Sequence, residues 1–539
     1  MASAWFAVGT YCALMLLFAI WARRDVGRDD ESYYLAGRSL AGPILLATMA
    51  ATNFSAFTVY GASGAAYRIG LSFLPIMAFG TGFMAVSMYA LGKRARALSS
   101  KHGAMTAPEM VLGQTGSKQA QRTLASVLVI ATIPYLALQP RAAGIVVSAL
   151  FGGPEWIGAV LVTILVVAYT LTGGLKAVVR TDLAQGLIAL ILLWVGLALV
   201  VNDAGGLQAA MNNLASSQPG LLGREENYTL LIWSCTLLLW IFADPMFPQL
   251  YQRLCAAESD KDIGFMARAY PAVAWLAFLP PILIGALGHL EFSDLDRAGS
   301  DNILPMQIME AGGNWLGGLV LVAGLAALMS TMDSQLLATG SLVTRDLLSV
   351  DESGAGRRRD FVIITLAILG LILSLWSNLS ILDLGLLAFS MYAVMFPSVY
   401  IAAHFEGLDG KAVITSVMAG EIMVLLAVTK PEFYSDWWIE PVGPAMPTVV
   451  VPSLIVSTLA LAVINHMTSD RTVSDIISTI LPDRSAIIPT LCLLAVFLLA
   501  HDYWWWDENS TWLLGMPVWI WWAAALSAVQ TGIMSRMTD

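Results

Sequence analysis

Between Ala323 and Ser341, Ala323, Ala327 and Thr331 recur every four residues, and so do Ala326, Ser330, Ser334 and Ala338. On a helix both rows share one face. Small side chains there let another backbone approach closely. Ser330 and Thr331 then offer neutral hydroxyl oxygens to whatever comes near. A dehydrated monovalent cation needs about five hard oxygen ligands, by analogy with other hard cations. Two hydroxyls and the carbonyls of an unwound neighbour would supply them. Plain helix packing, with Ser and Thr bonded to their own backbone, fits the same pattern.

Two polar interruptions could provide such an unwound neighbour. One is Ala50-Ala51-Thr52-Asn53-Phe54-Ser55-Ala56, followed by Gly61, Ser63 and Gly64. The other is Asp244-Pro245-Met246-Phe247-Pro248, whose prolines remove two amide donors. Broken spans at corresponding places in two halves mark midplane binding sites, and ordinary kinks are the other reading. Two charges lie at depth, Arg141 and Asp244. Arg141 could present two donors to a carboxylate, and Asp244 could attract an ammonium. Alternatively Arg141 snorkels to the surface and Asp244 caps the broken helix.

The elements that hold these residues are apolar blocks. Of the 539 residues, 58% are hydrophobic and 12% charged, too few charges for a soluble surface of that size. Spans need about 20 mostly apolar residues. Barrel strands would alternate in character, whereas Leu187–Val201 and Leu319–Leu328 are continuously apolar or small and read as helices. About fifteen spans are expected, near 4–21, 41–66, 72–92, 119–150, 154–172, 181–201, 227–250, 263–288, 313–343, 360–377, 380–403, 410–428, 446–464, 486–500 and 512–530. The first has Arg23 and Arg24 behind it, the reverse of a cleaved leader.

Starting outside and alternating, all but five of the 28 Lys and Arg fall on the inner side, as cytoplasmic loops require. The exceptions are Arg68, Arg224, Arg297, Lys430 and the intramembrane Arg141. The N-terminus is thus expected outside and the C-terminus in the cytoplasm. The four cysteines and five histidines form no metal or disulfide spacing. No basic stripe with interleaved aromatics suggests nucleic acid. No long soluble stretch interrupts the spans, which disfavours a large catalytic domain, and no enzyme activity is expected.

Several stretches together resemble the sodium:solute symporter family. They are Tyr33-Tyr34-Leu35-Ala36-Gly37-Arg38, Ala51-Thr52-Asn53-Phe54-Ser55, the run from Thr172-Gly173-Gly174 to Asp182-Leu183-Ala184-Gln185, Pro248-Gln249 with Arg253, and Ala327-Leu328-Met329-Ser330-Thr331-Met332-Asp333-Ser334-Gln335 with Thr344-Arg345-Asp346. The resemblance implies an all-α, LeuT-type fold of two inverted five-helix repeats with accessory helices at both ends. Its boundaries would be 1–39 for a leading helix and loop, 40–404 for the core (repeats about 40–201 and 227–404), and 405–539 for accessory spans. It implies a sodium site formed by the carbonyls of Ala51, Phe54 and Ala327 and the hydroxyls of Ser330 and Thr331. Asp182 matches an acidic position linked to cation passage or a second ion. A loop-end pairing with Arg180 or Lys176 is its structural alternative. Asn53 stands where some relatives carry Asp.

The expected function is sodium-coupled import of a small organic solute, a zwitterion or carboxylate such as an amino acid or osmolyte, with sodium as coupling ion and no cofactor. Proton coupling, a sugar cargo or a sensor role are the alternatives. Expected cargo liners are Phe57, Thr58, Tyr60, Arg141, Trp240, Asp244, Phe247, Pro248 and Phe389. Trp240 and Pro248 match substrate-side positions of the sodium/proline branch, and Asp244 departs from the Tyr expected there. Partners would be the solute, sodium and the lipid bilayer of the cell membrane, and a monomer would suffice.

Overall fold

A computed structural model describes residues 6, 8–15, 17, 30–171, 173–224, 229–348, 355–469, 473–480, 484–506 and 511–538. Arg23, Arg24, Arg28, Thr172 and much of the first expected span lie outside the described residues. The rest is helical apart from a short hairpin, Trp512–Leu513 with Met516–Pro517. By length and apolarity ten helices can cross a membrane, or eleven if one bent pair counts as a span. That is fewer than the expected fifteen, although every expected interval from 41–66 onward holds helix. Glu155–Thr170 is shorter than the others.

The first core span is split. Helix α1 (Gly42–Asn53) starts with proline in its first turn and stops at Phe54. The chain resumes as a π-helical turn, Phe57–Gly61, that runs into α2 (Ala62–Ile69). There follow α3 (Phe73–His102), α4 (Lys118–Phe151), α5 (Glu155–Thr170) and α6 (Leu175–Asp203). The second half opens on α7 (Leu230–Ala243), a 3-10 turn at Asp244–Met246, and α8 (Pro248–Ala256). Phe247 between them is extended, and the two helices bend by 57°. Pro248 has no amide proton to give to the preceding turn, which favours the break there.

Then come α9 (Asp260–Leu287), α10 (Gly318–Ser341), α11 (Ala355–Trp376) and α12 (Ile381–His404). Beyond them lie α13 (Gly410–Thr429), α14 (Val450–Thr468), α15 (Arg484–Leu499) and α16 (Val518–Thr538). Two helix groups emerge. The broken helices pack with α3 and α9, while α4, α5, α10 and α11 pack with one another, and α6 joins α1 to α10. Small residues set the closest approaches. A Cβ on Gly324 would lie 1.6 Å from the Tyr60 hydroxyl, and one on Gly186 2.8 Å from the Ala51 Cβ. Tyr11 of the leading helix accepts a 3.0 Å bond from Gln185 on α6.

Candidate functional site

The break after α1 rests on two redirected amides. Phe54 N still bonds Ala50 O at 2.8 Å. Ala56 N instead donates to Gln139 Oε1 of α4 at 3.1 Å, and Phe57 N to Ser55 Oγ at 3.1 Å. The carbonyls of Thr52 and Asn53 thereby lose their helical donors, and a buried carbonyl must find another partner. Thr52 O finds Thr331 Oγ1 at 3.0 Å, and Ala51 O finds Ser330 Oγ at 3.1 Å. Thr331 Oγ1 also lies 3.2 Å from Ala327 O. Ala51, Phe54 and Ala327 line a cavity of about 20 Å³, enough for one water-sized species. The five residues expected at the cation site are therefore brought together, with the Thr52 carbonyl in addition.

Asp182 is not a loop-end carboxylate. It is fully buried in α6, where Ser330, Thr48, Thr52 and Arg253 engage it. Ser330 Oγ donates to its Oδ1 at 2.5 Å, and Thr48 and Thr52 hydroxyls donate to Oδ2 at 2.6 and 3.1 Å. Arg253 of α8 is also fully buried and places Nη2 2.6 Å from the same Oδ2. That guanidinium also donates to Thr48 at 2.8 Å, Ser334 at 2.8 Å and Gln249 O at 2.9 Å. One ion pair thus ties both broken helices to α6 and α10 beside Ser330. Asp333, buried next to Ser334 with its Oδ2 unbonded, adds a second carboxylate. The cluster thus sets a second carboxyl group beside the Asp182–Arg253 pair.

The cargo candidates divide. Phe57, Trp240, Phe247 and Phe389 form one ring cluster, with centroids 5.1 to 5.6 Å apart where they touch. Tyr135 and Tyr392 close it, 4.9 Å from Phe389 and Phe247 respectively. Asp244 sits at the break of the second half, fully enclosed, and accepts from Asn53 Nδ2 at 3.1 Å. Asn53 Nδ2 also lies 2.9 Å from the Tyr270 hydroxyl. Asn53 therefore faces α8's break rather than the Asp182 cluster. Trp240 Nε1 is buried and has no hydrogen-bond partner among the described residues.

Four expected liners sit elsewhere. Thr58 points into the small cavity with Ala51 and Phe54, because successive positions on the π turn face different sides. Tyr60 packs against Gly324 of α10. Arg141, beyond Pro140, donates to Ser377 O at 2.9 Å and lies 3.9 Å from Asp301. It is engaged there with the start of α12, where Asp301 also accepts from Ile381 N at 2.8 Å. Pro248 begins α8 and borders a separate cavity of about 10 Å³ with Gln252 and Ser341. Gln139, Thr48 and Arg253 were not among the expected site residues. Arg253 alone carried a readable signal, its place with Pro248-Gln249 in the stretch that resembles the family.

Two discontinuous helices meeting a small, hydroxylated helix form the arrangement of membrane carriers that bind their cargo at the midplane. The comparisons agree. The model of the "Sodium:solute symporter family" matches residues 33–420. The Escherichia coli K12 sodium/pantothenate symporter is 26% identical over 476 residues, covering 85% of this chain and 95% of the relative. A Staphylococcus aureus sodium/proline symporter is 25% identical over 490 residues, covering 86% and 92%. In structure, the chain is similar to an outward-open Na+-coupled sialic acid symporter, with a TM-score of 0.69, 15% identity and coverage of 87% and 98%. Mhp1, a nucleobase-cation symporter, is similar with a TM-score of 0.50 at 12% identity. The fold is LeuT-type, all-helical and multi-pass. The chain belongs to the sodium:solute symporter family and is a sodium-coupled solute carrier, not an enzyme.

Proposed function

We propose that this protein imports a small organic solute bearing a positively charged nitrogen and an oxygen acceptor, such as an amino acid or betaine-like osmolyte. The observation that carries this reading is Asp244, a buried carboxylate at the helix break beside the ring cluster. An ammonium fits there, and the aromatic faces suit it as well. The unpartnered Trp240 Nε1 supplies a donor for the cargo's oxygen, the role that Arg141 does not take. Proline, for which one relative is named, is a zwitterion of this kind, whereas pantothenate, for which the other is named, carries a carboxylate and no positively charged nitrogen.

Sodium would bind among the oxygens of Ala51, Phe54, Ala327, Ser330 and Thr331, with Asp182 and Arg253 beneath it. Holding α1 against α10 prepares the cargo pocket, and the coupling is reciprocal. The membrane potential contributes about 2.3 kcal/mol per charge per 100 mV. One ion at that voltage supports roughly fifty-fold accumulation of a neutral solute. We place the protein in the cell membrane, N-terminus outside and C-terminus inside, with residues 40–404 as the transport core, 1–39 and 405–539 as accessory parts, and a monomer as the working unit.

Uptake into proteoliposomes tests this reading. Amino acids, betaines, short carboxylates and sugars are compared, with an inward sodium gradient or a potassium gradient at fixed pH. Concentrative, sodium-dependent uptake of a zwitterion is expected. Uptake of a sugar or an uncharged solute alone, or uptake driven equally well without sodium, would overturn it.

A further inference from the structure

Helices α3, α7, α12, α15 and α16 leave a groove of about 620 Å³ between the transport core and the accessory spans. Its walls are largely apolar, with Phe83, Ile241, Phe242, Leu494 and Phe497 among them, and no Asp or Glu lines it among the described residues. Along α3 the groove runs from Phe83 to Arg94, about 16 Å at 1.5 Å per residue. That is the depth of one leaflet of a roughly 30 Å hydrocarbon core.

Lys93 and Arg94 stand side by side at one end of this slot. Arg94 is exposed, and no carboxylate pairs with either residue among the described ones. The Lys93 amine has one long bond, 3.4 Å to the Tyr89 hydroxyl, and lies 5.1 Å from that ring's centre. Tyr89 in turn donates to Met537 O at 2.9 Å and fastens α16 to α3 beside the slot. Two adjacent cations with no counter-charge repel each other and call for an anion between them. The groove below them is largely apolar and as deep as one leaflet. An apolar trough with a doubly basic mouth is complementary to a molecule with hydrocarbon chains and a phosphate head.

We propose that this groove is a binding site for an anionic phospholipid, with its acyl chains along α3, α7 and α15 and its phosphate between Lys93 and Arg94. With the orientation proposed above, the lipid belongs to the cytoplasmic leaflet, where basic pockets between spans bind acidic headgroups. It fills the seam between α3 and α7, which pack with the broken helices, and the accessory α15 and α16.

Native mass spectrometry of the full chain in detergent, titrated with dioleoyl phosphatidylglycerol or dioleoyl phosphatidylcholine, tests the site. The parent protein is expected to prefer phosphatidylglycerol. The double variant Lys93→Gln/Arg94→Gln is expected to bind it roughly thirty-fold more weakly, at about one basic-residue contact's strength per charge removed, with phosphatidylcholine binding unchanged. Ala90→Trp keeps both cations and fills the trough, and is expected to lose the same lipid. Lys118→Gln/Arg122→Gln removes two charges away from the groove and is expected to leave binding as in the parent. Equal binding of both lipids by the parent, a preference surviving in either groove variant, or an equal loss in the control pair would overturn the proposal. Because no uptake is measured, its failure is separate from that of the transport reading.

Discussion

The proposed cation site and the proposed cargo region flank the same unwound turn after Asn53, and they are built from different materials. At the first, Ser330, Thr331, Thr48, Thr52 and Asp182 surround released carbonyls, and every oxygen–oxygen contact lies between 2.5 and 3.2 Å. At the second, six rings pack against one another, and one carboxylate and one indole nitrogen supply the visible polarity. The first needs an ion of one size and charge, so neutral hard oxygens at fixed spacing suffice. The second must suit a particular solute, and rings can be re-cut by single substitutions without disturbing the backbone. The difference explains why relatives about a quarter identical share the ion in their names but not the cargo.

The comparison breaks first if the Asp182–Arg253 pair is dispensable. Arg253→Met leaves a buried carboxylate unpaired, which costs about 3–5 kcal/mol. A clear drop in the thermal unfolding midpoint and loss of sodium-dependent uptake are expected. Replacing both partners, Asp182→Asn with Arg253→Met, removes the stranded charge and is expected to restore most of the stability but not sodium affinity. A double variant that unfolds as readily as the single one would show that the pair is not acting as an isolated charge couple.

Next in size is Asp244→Asn. A hydrogen bond to a charged group contributes about 1.5–3 kcal/mol, so the cargo KM is expected to rise about ten- to a hundredfold. The sodium concentration for half-maximal uptake, measured at saturating cargo, should stay near the parent's. An effect on sodium alone would move Asp244 from the cargo region to the ion site. Ser330→Ala and Thr331→Ala probe the other side. Each removes one neutral oxygen, worth about 0.5–1.5 kcal/mol, and apparent sodium affinity is expected to fall about two- to tenfold. Cargo affinity should follow only at low sodium, because the coupling runs both ways. Unchanged sodium affinity in both variants would leave the two hydroxyls as packing residues.

The meeting of α1 with α10 was largely legible because it depends on local patterns. The four-residue rows on α10 and the polar gap after Asn53 are written in neighbouring positions, and they predict two backbones meeting through hydroxyls. Asp182 and Arg253 were both visible as motif residues, but their pairing joins positions 71 apart in sequence. Only the tertiary arrangement, in which α6 and α8 both pack on α1 and α10, determines it. Gln139 was hidden for the same reason: its amide oxygen caps Ala56 N from another helix. In the cargo region, period and composition marked Phe57, Trp240 and Phe389 as apolar, which holds for many residues of a membrane helix. Thr58 was misplaced because the turn Phe57–Gly61 is π-helical, and its rotation per residue differs from that of the α-helix on which spacing arguments rest.

The smallest effect concerns Arg141, and it tests where the cargo region ends. As half of a zwitterion clamp, Arg141 would hold a carboxylate by a charge-assisted bond, and Arg141→Gln would raise the cargo KM at least about tenfold. Its actual partners are Ser377 O and, at 3.9 Å, Asp301. Asp301 keeps the Ile381 amide when the guanidinium is gone. We therefore expect Arg141→Gln to leave the cargo KM within about twofold of the parent, less than the span of one neutral hydrogen bond. Uptake of a zwitterion and of its ester, which lacks the carboxylate charge, should change in parallel. A selective loss for the zwitterion would return Arg141 to the cargo site and require the α4–α12 contact to open during transport.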